Sequence, residues 1–181
     1  MLNIPQVIIT FDNELWYCGD FVMKVEVEVE PVLWLVRDKR DLDVVKALLK
    51  RFHPGGWVRG PLNAVWALCD EGTGGFLAVC IICPPMPAVV EKAKKMYSEW
   101  EDIEMMDVLF VRRIMTVPPF SAGGFASMLL LQLEEQYKSA GFKAFYSYVY
   151  PGLPGHLYQR AKWKFGWTGA RGHRFVYKII K

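Results

Sequence analysis

The stretch that decides the fold is Arg112-Arg113-Ile114-Met115-Thr116-Val117-Pro118-Pro119-Phe120-Ser121-Ala122-Gly123-Gly124-Phe125-Ala126-Ser127, continued by Met128-Leu129-Leu130-Leu131-Gln132-Leu133-Glu134-Glu135-Gln136-Tyr137. An apolar, β-branched run feeds a Pro-Pro turn, a loop of small residues follows, and an amphipathic helix comes next. Phe125, Met128, Leu129, Leu133 and Tyr137 recur near helical spacing, while Gln132, Glu134, Glu135 and Lys138 cover the other face. Gly141 stands where a left-handed helix end is expected.

A helix N-terminus carries backbone N–H groups without partners and the positive end of the macrodipole. The small residues Ser121, Ala122, Gly123 and Gly124 let an anion come close to that backbone. A phosphate or pyrophosphate suits such a site. An ordinary strand-to-helix turn, in which Gly123-Gly124 only bend the chain, explains the same residues.

Val7 to Phe11 reads as a short strand followed by a turn at Asp12-Asn13. Phe21 to Glu30 is a strand whose Val25, Val27 and Val29 alternate with a solvated row of Lys24, Glu26, Glu28 and Glu30. Pro31 interrupts, and Val32 to Val36 reads as a second, more buried strand. Asp38 to His53 is a helix capped by Asp41, with Leu42, Val45, Leu49 and Phe52 as its stripe and His53-Pro54-Gly55-Gly56 as its stop. Asn63 to Asp70 and Phe76 to Cys83 form a hairpin. The CxxC spacing of Cys80 and Cys83 falls on a strand, where such a pair points to opposite faces, so buried thiols are expected rather than zinc ligands. Pro87 opens a helix with Val90, Ala93, Tyr97 and Trp100 on one stripe; it covers a pocket or serves as a packing insertion.

Downstream of the central helix, Lys143 to Tyr150 is a strand, His156 to Trp163 a short helix, and Arg174 to Ile180 a closing strand, with Gly166, Gly169 and Gly172 breaking the chain between them. The order implies one α/β domain over residues 1–181, with a mixed, largely antiparallel sheet flanked by helices. The strands on either side of the central helix should be parallel neighbours.

With 181 residues, 52% of them apolar and 14% aromatic, the chain has enough material for a substantial core. A formal charge of +3 permits a nucleic acid or an acidic cofactor as partner without demanding one. Four cysteines do not make a disulfide framework. No apolar run has membrane-spanning length. A soluble, cytoplasmic protein is the expectation. Trp57 and Trp66 suit a homodimer interface as well as a pocket.

The order of elements and the central motif resemble the GNAT superfamily of acyl-CoA-dependent N-acyltransferases over roughly residues 32–181. That family's pyrophosphate loop has the form Gln/Arg-x-x-Gly-x-Gly/Ala after a central strand. Here Ser121-Ala122-Gly123-Gly124-Phe125-Ala126 matches at Gly124 and Ala126, with Ser121 in place of Arg or Gln. Leu157-Tyr158-Gln159-Arg160-Ala161-Lys162-Trp163 is similar to the family's Leu-Tyr-x-x-x-Gly-Phe segment, with Lys162-Trp163 in place of Gly-Phe. A narrower likeness is to the phage Mom-type DNA-modification group. It rests on Gly155-His156, the Leu157 to Trp163 run, Gly166-Trp167-Thr168, His53 after an apolar helix, Arg113 before the loop, and a serine near Ser121 or Ser127. In that group a Ser-x-Ala-Asp-Pro segment carries an acid; here Ser147-Tyr148-Val149-Tyr150-Pro151 has Tyr150 instead.

The resemblance implies acetyl-CoA or another acyl-CoA as co-substrate. Its pyrophosphate would lie on Ser121, Ala122, Gly123, Gly124, Phe125, Ala126 and Ser127, and its pantetheine along the backbone of Met115, Thr116 and Val117. Tyr158 would act as general acid. His156, His53 and water are the alternatives for the base, and Arg113, His53 and Tyr150 would meet the acceptor. That acceptor is a small-molecule or protein amine. The other readings are a Mom-like enzyme acting on a DNA base, with Lys162, Lys164, Arg171 and Arg174 on phosphates, and a GNAT-like binder without catalysis.

Overall fold

The computed structural model describes residues 7–10, 26–118, 120 and 124–180. Strand β1 (Val7–Thr10) pairs antiparallel with β2 (Glu26–Val29). The remaining described elements are β3 (Pro31–Leu35), α1 (Lys39–Phe52), β4 (Ala64–Asp70), β5 (Phe76–Cys83), α2 (Pro87–Met96), β6 (Val108–Thr116), α3 (Phe125–Ser139), β7 (Ala144–Val149), α4 (His156–Arg160), β8 (Lys164–Thr168) and β9 (Arg174–Ile179). The expected Asp12-Asn13 turn and the first half of the Phe21–Glu30 strand fall outside the described residues.

The main sheet has the order β3-β4-β5-β6-β7-β9-β8. Every neighbouring pair in it is antiparallel except β6 with β7, which are parallel. This is the mixed α/β arrangement expected from the order of elements.

Strand β5 shows why two layers of helix are needed. Its side chains alternate between faces, and both faces are dry. Ala78, Cys80 and Ile82 join α3 residues Phe125, Leu129 and Leu133 in one core. Val79, Ile81 and Cys83 join Val45 and Leu49 of α1 and Val90 and Ala93 of α2 in the other. Burying a large aliphatic side chain contributes about 1.5–3 kcal/mol, so these two stripes bind the helices to the sheet. Cys80 and Cys83 thus lie on opposite faces, and burial pushes both thiols up from their ordinary range.

Several local expectations change. Asp38, not Asp41, caps α1: its side chain accepts from the Arg40 N–H at 2.7 Å, leaving Asp41 in the first turn. The β3 strand is less buried than expected, with Trp34 52% exposed, because β3 is an edge of the main sheet. Phe52 is also exposed, so the α1 stripe narrows to Val45 and Leu49 at its centre. Helix α4 ends at Arg160; Lys162 adopts φ 58° and turns the chain into β8. The glycines there do not all break the chain, since Gly166 lies inside β8. The left-handed end of α3 falls at Gly141, φ 89°, as its position implied.

The feature that positions the site is where β6 and β7 part. Their ladder runs from Val108↔Ala144 to Phe110↔Tyr146 and stops. Beyond it β6 continues to Thr116 and β7 to Val149, each paired on its far side only. The backbone edges facing that wedge are left for other partners, and buried or half-buried backbone polar groups require them.

Candidate active site

One such partner is Ser147, whose hydroxyl donates to the Val111 carbonyl at 2.7 Å where the ladder ends. That spends its only proton. The Tyr158 hydroxyl, 2.6 Å from Ser147 Oγ, must therefore be the donor of the second bond. Both residues are buried, and burial raises the Tyr158 pKa well above the ordinary phenol value. At neutral pH Tyr158 keeps its proton, as a general acid must.

Three cavities adjoin along the wedge. The first, about 230 Å³, lies at the start of α3 and is lined by Thr116, Gly124, Ala126, Ser127, His156 and Arg160. The second, about 260 Å³, is lined by Ile114, Tyr158 and His53 and shares His156 and Leu157 with the first. The third, about 340 Å³, shares Tyr148 and Tyr150 with the second and adds Arg112, Arg113 and Arg171.

At the α3 end, Gly124 is the cap, at φ 70°. A side chain there would come 3.4 Å from the Arg160 guanidinium. A cation from α4 therefore stands beside the N-terminus of α3. Thr116 Oγ accepts from the Ala126 N–H at 3.2 Å, and Ser127 Oγ donates to the Leu157 carbonyl at 3.1 Å. Phe125 is fully buried in the core beneath. Of the expected loop residues, Ser121, Ala122 and Gly123 lie outside the described residues.

The open edge of β6 follows from strand alternation. Val117 N–H donates to the Leu77 carbonyl at 2.8 Å, and the register pairs Met115 with Val79. Met115 and Val117 thus spend their backbone groups on β5. The groups facing the wedge belong to Ile114 and Thr116.

A bulge shapes the third cavity. Ile81 pairs with Arg113 but Ile82 pairs with Val111, so Arg112 is an extra residue in β6. Such an insertion interrupts the in-out alternation, and both consecutive arginines line one cavity. Arg113 is committed: its Nε donates to the Gly56 carbonyl, and its two terminal nitrogens donate to Arg112 and Gly55 carbonyls, all at 2.8–3.0 Å. It holds the loop after α1 against the sheet, with its guanidinium 5.9 Å from the Tyr150 ring centroid. A side chain on Gly55 would overlap the Tyr150 hydroxyl.

His53 ends α1 in this loop. Its Nδ1 accepts from the Gly55 N–H at 3.0 Å, so the neutral ring carries its proton on Nε2. Burial, and then the nearby Arg113 charge, lower its pKa to about 4. At neutral pH His53 offers a hydrogen-bond donor rather than a base. His156 begins α4, is exposed, and lines the first and second cavities, while Tyr158 lines the second.

The four basic residues considered for phosphate contact separate. Arg171 lines the third cavity, Lys164 pairs with Glu99 at 2.6 Å, and Arg174 lies 5.2 Å from the Phe165 ring centroid. Lys162 is exposed at the turn into β8. Trp66 donates from Nε1 to the Tyr137 hydroxyl at 3.0 Å. Ser147, Arg160, Ile114 and Arg112 were not singled out from the sequence. Their signal is tertiary, since each matters through an element distant in the chain.

No protein-family model matches the chain, and no curated protein matches it. Solved structures do. The ribosomal-protein-S18-alanine N-acetyltransferase of Escherichia coli superposes with a TM-score of 0.60 at 14% identity, covering 84% of this chain and 95% of its own. A GNAT-superfamily phosphinothricin acetyltransferase of Sinorhizobium meliloti, solved with AcCoA, gives 0.59 at 12% identity, covering 82% and 88%. A GNAT-family N-acetyltransferase of Escherichia coli, solved with CoA, gives 0.56 at 14% identity, covering 84% and 83%. At these identities the likeness establishes the fold: the chain has the architecture of the GNAT N-acetyltransferases.

Proposed function

We propose that this chain is an acyl-CoA-dependent N-acyltransferase, acetyl-CoA being the simplest donor and a primary amine the acceptor. The observation that carries this reading is the line of three adjoining cavities in the β6–β7 wedge. It runs from a helix N-terminus, past a buried tyrosine, to an arginine-lined pocket. Two structures of the same fold are solved with CoA or AcCoA.

The residues fit such a donor. The α3 N-terminus and Arg160 would hold the pyrophosphate, with Arg160 supplying the cation that Ser121 does not. Gly124 keeps that approach open. The edge groups of Ile114 and Thr116 would pair with the pantetheine amides, in place of the Met115 to Val117 run as a whole. The donor supplies an activated acyl group. In the transfer a C–N bond forms, the C–S bond breaks, the amine gives up a proton and the thiolate takes one. Tyr158 would donate the latter. Ser147 is the positioning residue. By turning its hydroxyl from Val111 to Tyr158 it would stabilise the phenolate left behind. His156, alone or through water, would receive the amine proton, since His53 holds its proton on Nε2 and resists a second.

Tyr158→Phe tests this role. Removing a general acid lowers kcat by about a hundredfold or more, and calorimetry should find acetyl-CoA binding unchanged. Full activity in Tyr158→Phe would remove Tyr158 from the chemistry.

A further inference from the structure

We propose that the third cavity is an anion-selective acceptor subsite, built for a small amine that also carries a phosphate or carboxylate on or beside a planar ring; this rests on the acyl-transfer reading for the amine and on the cavity itself for the anion.

Three arginines line this cavity, and among the described residues no carboxylate does. Arg113 spends its donors on the Gly55, Gly56 and Arg112 carbonyls. Arg112 and Arg171 are different: among the described residues neither has an ion-pair partner. Arg112 is half-buried, its guanidinium 5.7 Å from the Phe110 ring centroid. A half-buried cation without an ion-pair partner among the described residues is available to a ligand's negative charge. The β6 bulge is what brings it there: without the extra residue, Arg112 and Arg113 would face opposite sides of the sheet. The walls are aromatic. Tyr148 stands edge-on to Phe110 at 6.0 Å, and Tyr150 packs against His173 at 4.9 Å. Planar rings stack on such walls, and bidentate guanidinium groups bind phosphate or carboxylate.

A small ligand is favoured over a polymer. A nucleic-acid strand needs a row of phosphate contacts. Here three arginines line one cavity of about 340 Å³, while Lys164 is paired with Glu99 and Arg174 lies over Phe165.

The test uses the full chain without any acyl-CoA. Phenyl phosphate, benzoate, neutral phenol and cationic benzylamine are titrated by calorimetry, beside a single-stranded oligonucleotide. Arg112→Gln and Arg171→Gln are titrated in parallel; Arg171 is exposed on the β8–β9 turn, so its replacement leaves folding intact. The expected result is binding of phenyl phosphate or benzoate at least tenfold tighter than phenol or benzylamine, weakened at least tenfold in each variant. Which of the two anions binds tighter separates a phosphate from a carboxylate acceptor. Equal binding of phenol, or anion binding untouched by both substitutions, overturns the proposal. So does binding of the oligonucleotide alone. Acetyl-CoA is titrated on the same sample. Anion binding without acetyl-CoA binding would sink the acyl-transfer reading and leave the anion subsite standing, and the reverse would sink the subsite alone.

Discussion

Single side chains in the wedge carry more than one duty. Ser147 closes the gap where the β6–β7 ladder ends and accepts a hydrogen bond from the Tyr158 hydroxyl in the resting protein. Ser147→Ala leaves the Val111 carbonyl and the Tyr158 hydroxyl without that partner, which costs about 1–3 kcal/mol in urea denaturation. Under the acyl-transfer reading it also lowers kcat while leaving KM for the acyl-CoA in place, and Ser147→Thr, which keeps the hydroxyl, restores much of both. Loss of stability with unchanged kcat would make Ser147 structural only. His53 makes a pH prediction. Its pKa falls from 6.5 to about 4 on folding, so folding favours the neutral ring. Its contribution to stability is full above pH 6.5 and is lost as pH falls toward about 4. Denaturation midpoints should drop across that window, and His53→Gln should flatten the drop. An unchanged slope in the variant would remove His53 as its cause. The sequence singled out five side chains that the fold brings to the wedge. Tyr158, His156, His53, Arg113 and Tyr150 all come to the adjoining cavities. Ser147 and Arg160 were not legible, because a serine on a strand and an arginine at a helix end gain their meaning only from what lies opposite.

Among the elements, periodicity carried the reading where packing followed it. The two-sided burial of β5, the Val45–Leu49 centre of the α1 stripe, the Val90 and Ala93 part of the α2 stripe and the Pro87 start of α2 follow from local pattern, whereas α2 ends at Met96 and leaves the expected Tyr97 and Trp100 beyond the helix. The failures are places where tertiary contact decides. Strand β8 was missed because its glycines look like breakers. In the fold Gly166 is needed for closeness: a side chain there would overlap the Tyr97 hydroxyl and come 2.9 Å from the Phe175 ring. That hydroxyl in turn accepts from the Trp167 N–H at 3.1 Å. Gly166→Ala should therefore destabilise the fold by about 1–3 kcal/mol through overpacking, read as a lower urea midpoint with an unchanged m-value. No change in midpoint would mean the Tyr97–Phe175 layer yields freely. The bulge at Arg112 had no glycine or proline to announce it, and the parting of β6 from β7 depends on strands far apart in the chain.

For the whole molecule, the two helical layers serve the wedge from opposite sides. Helices α3 and α4 on one face bring Gly124, Arg160 and Tyr158 to it. The loop after α1 brings His53 from the other. No helix among the described residues is long and apolar enough to cross a membrane. The likeness to solved N-acetyltransferase structures covers more than four-fifths of the chain at 14% identity or less in the three structures compared, so it is a likeness of fold. Under the proposed function an acyl-CoA would lie along the wedge with its pyrophosphate between α3 and Arg160. Calorimetric titration of acetyl-CoA into the native chain, Arg160→Ala and Gly124→Glu tests it most directly. The expected result is binding by the native chain, weakened about tenfold to a hundredfold in Arg160→Ala through loss of a charge-assisted contact, and abolished in Gly124→Glu, where a carboxylate would occupy the anion's place. No binding by the folded native chain, or equal binding by all three, would contradict it.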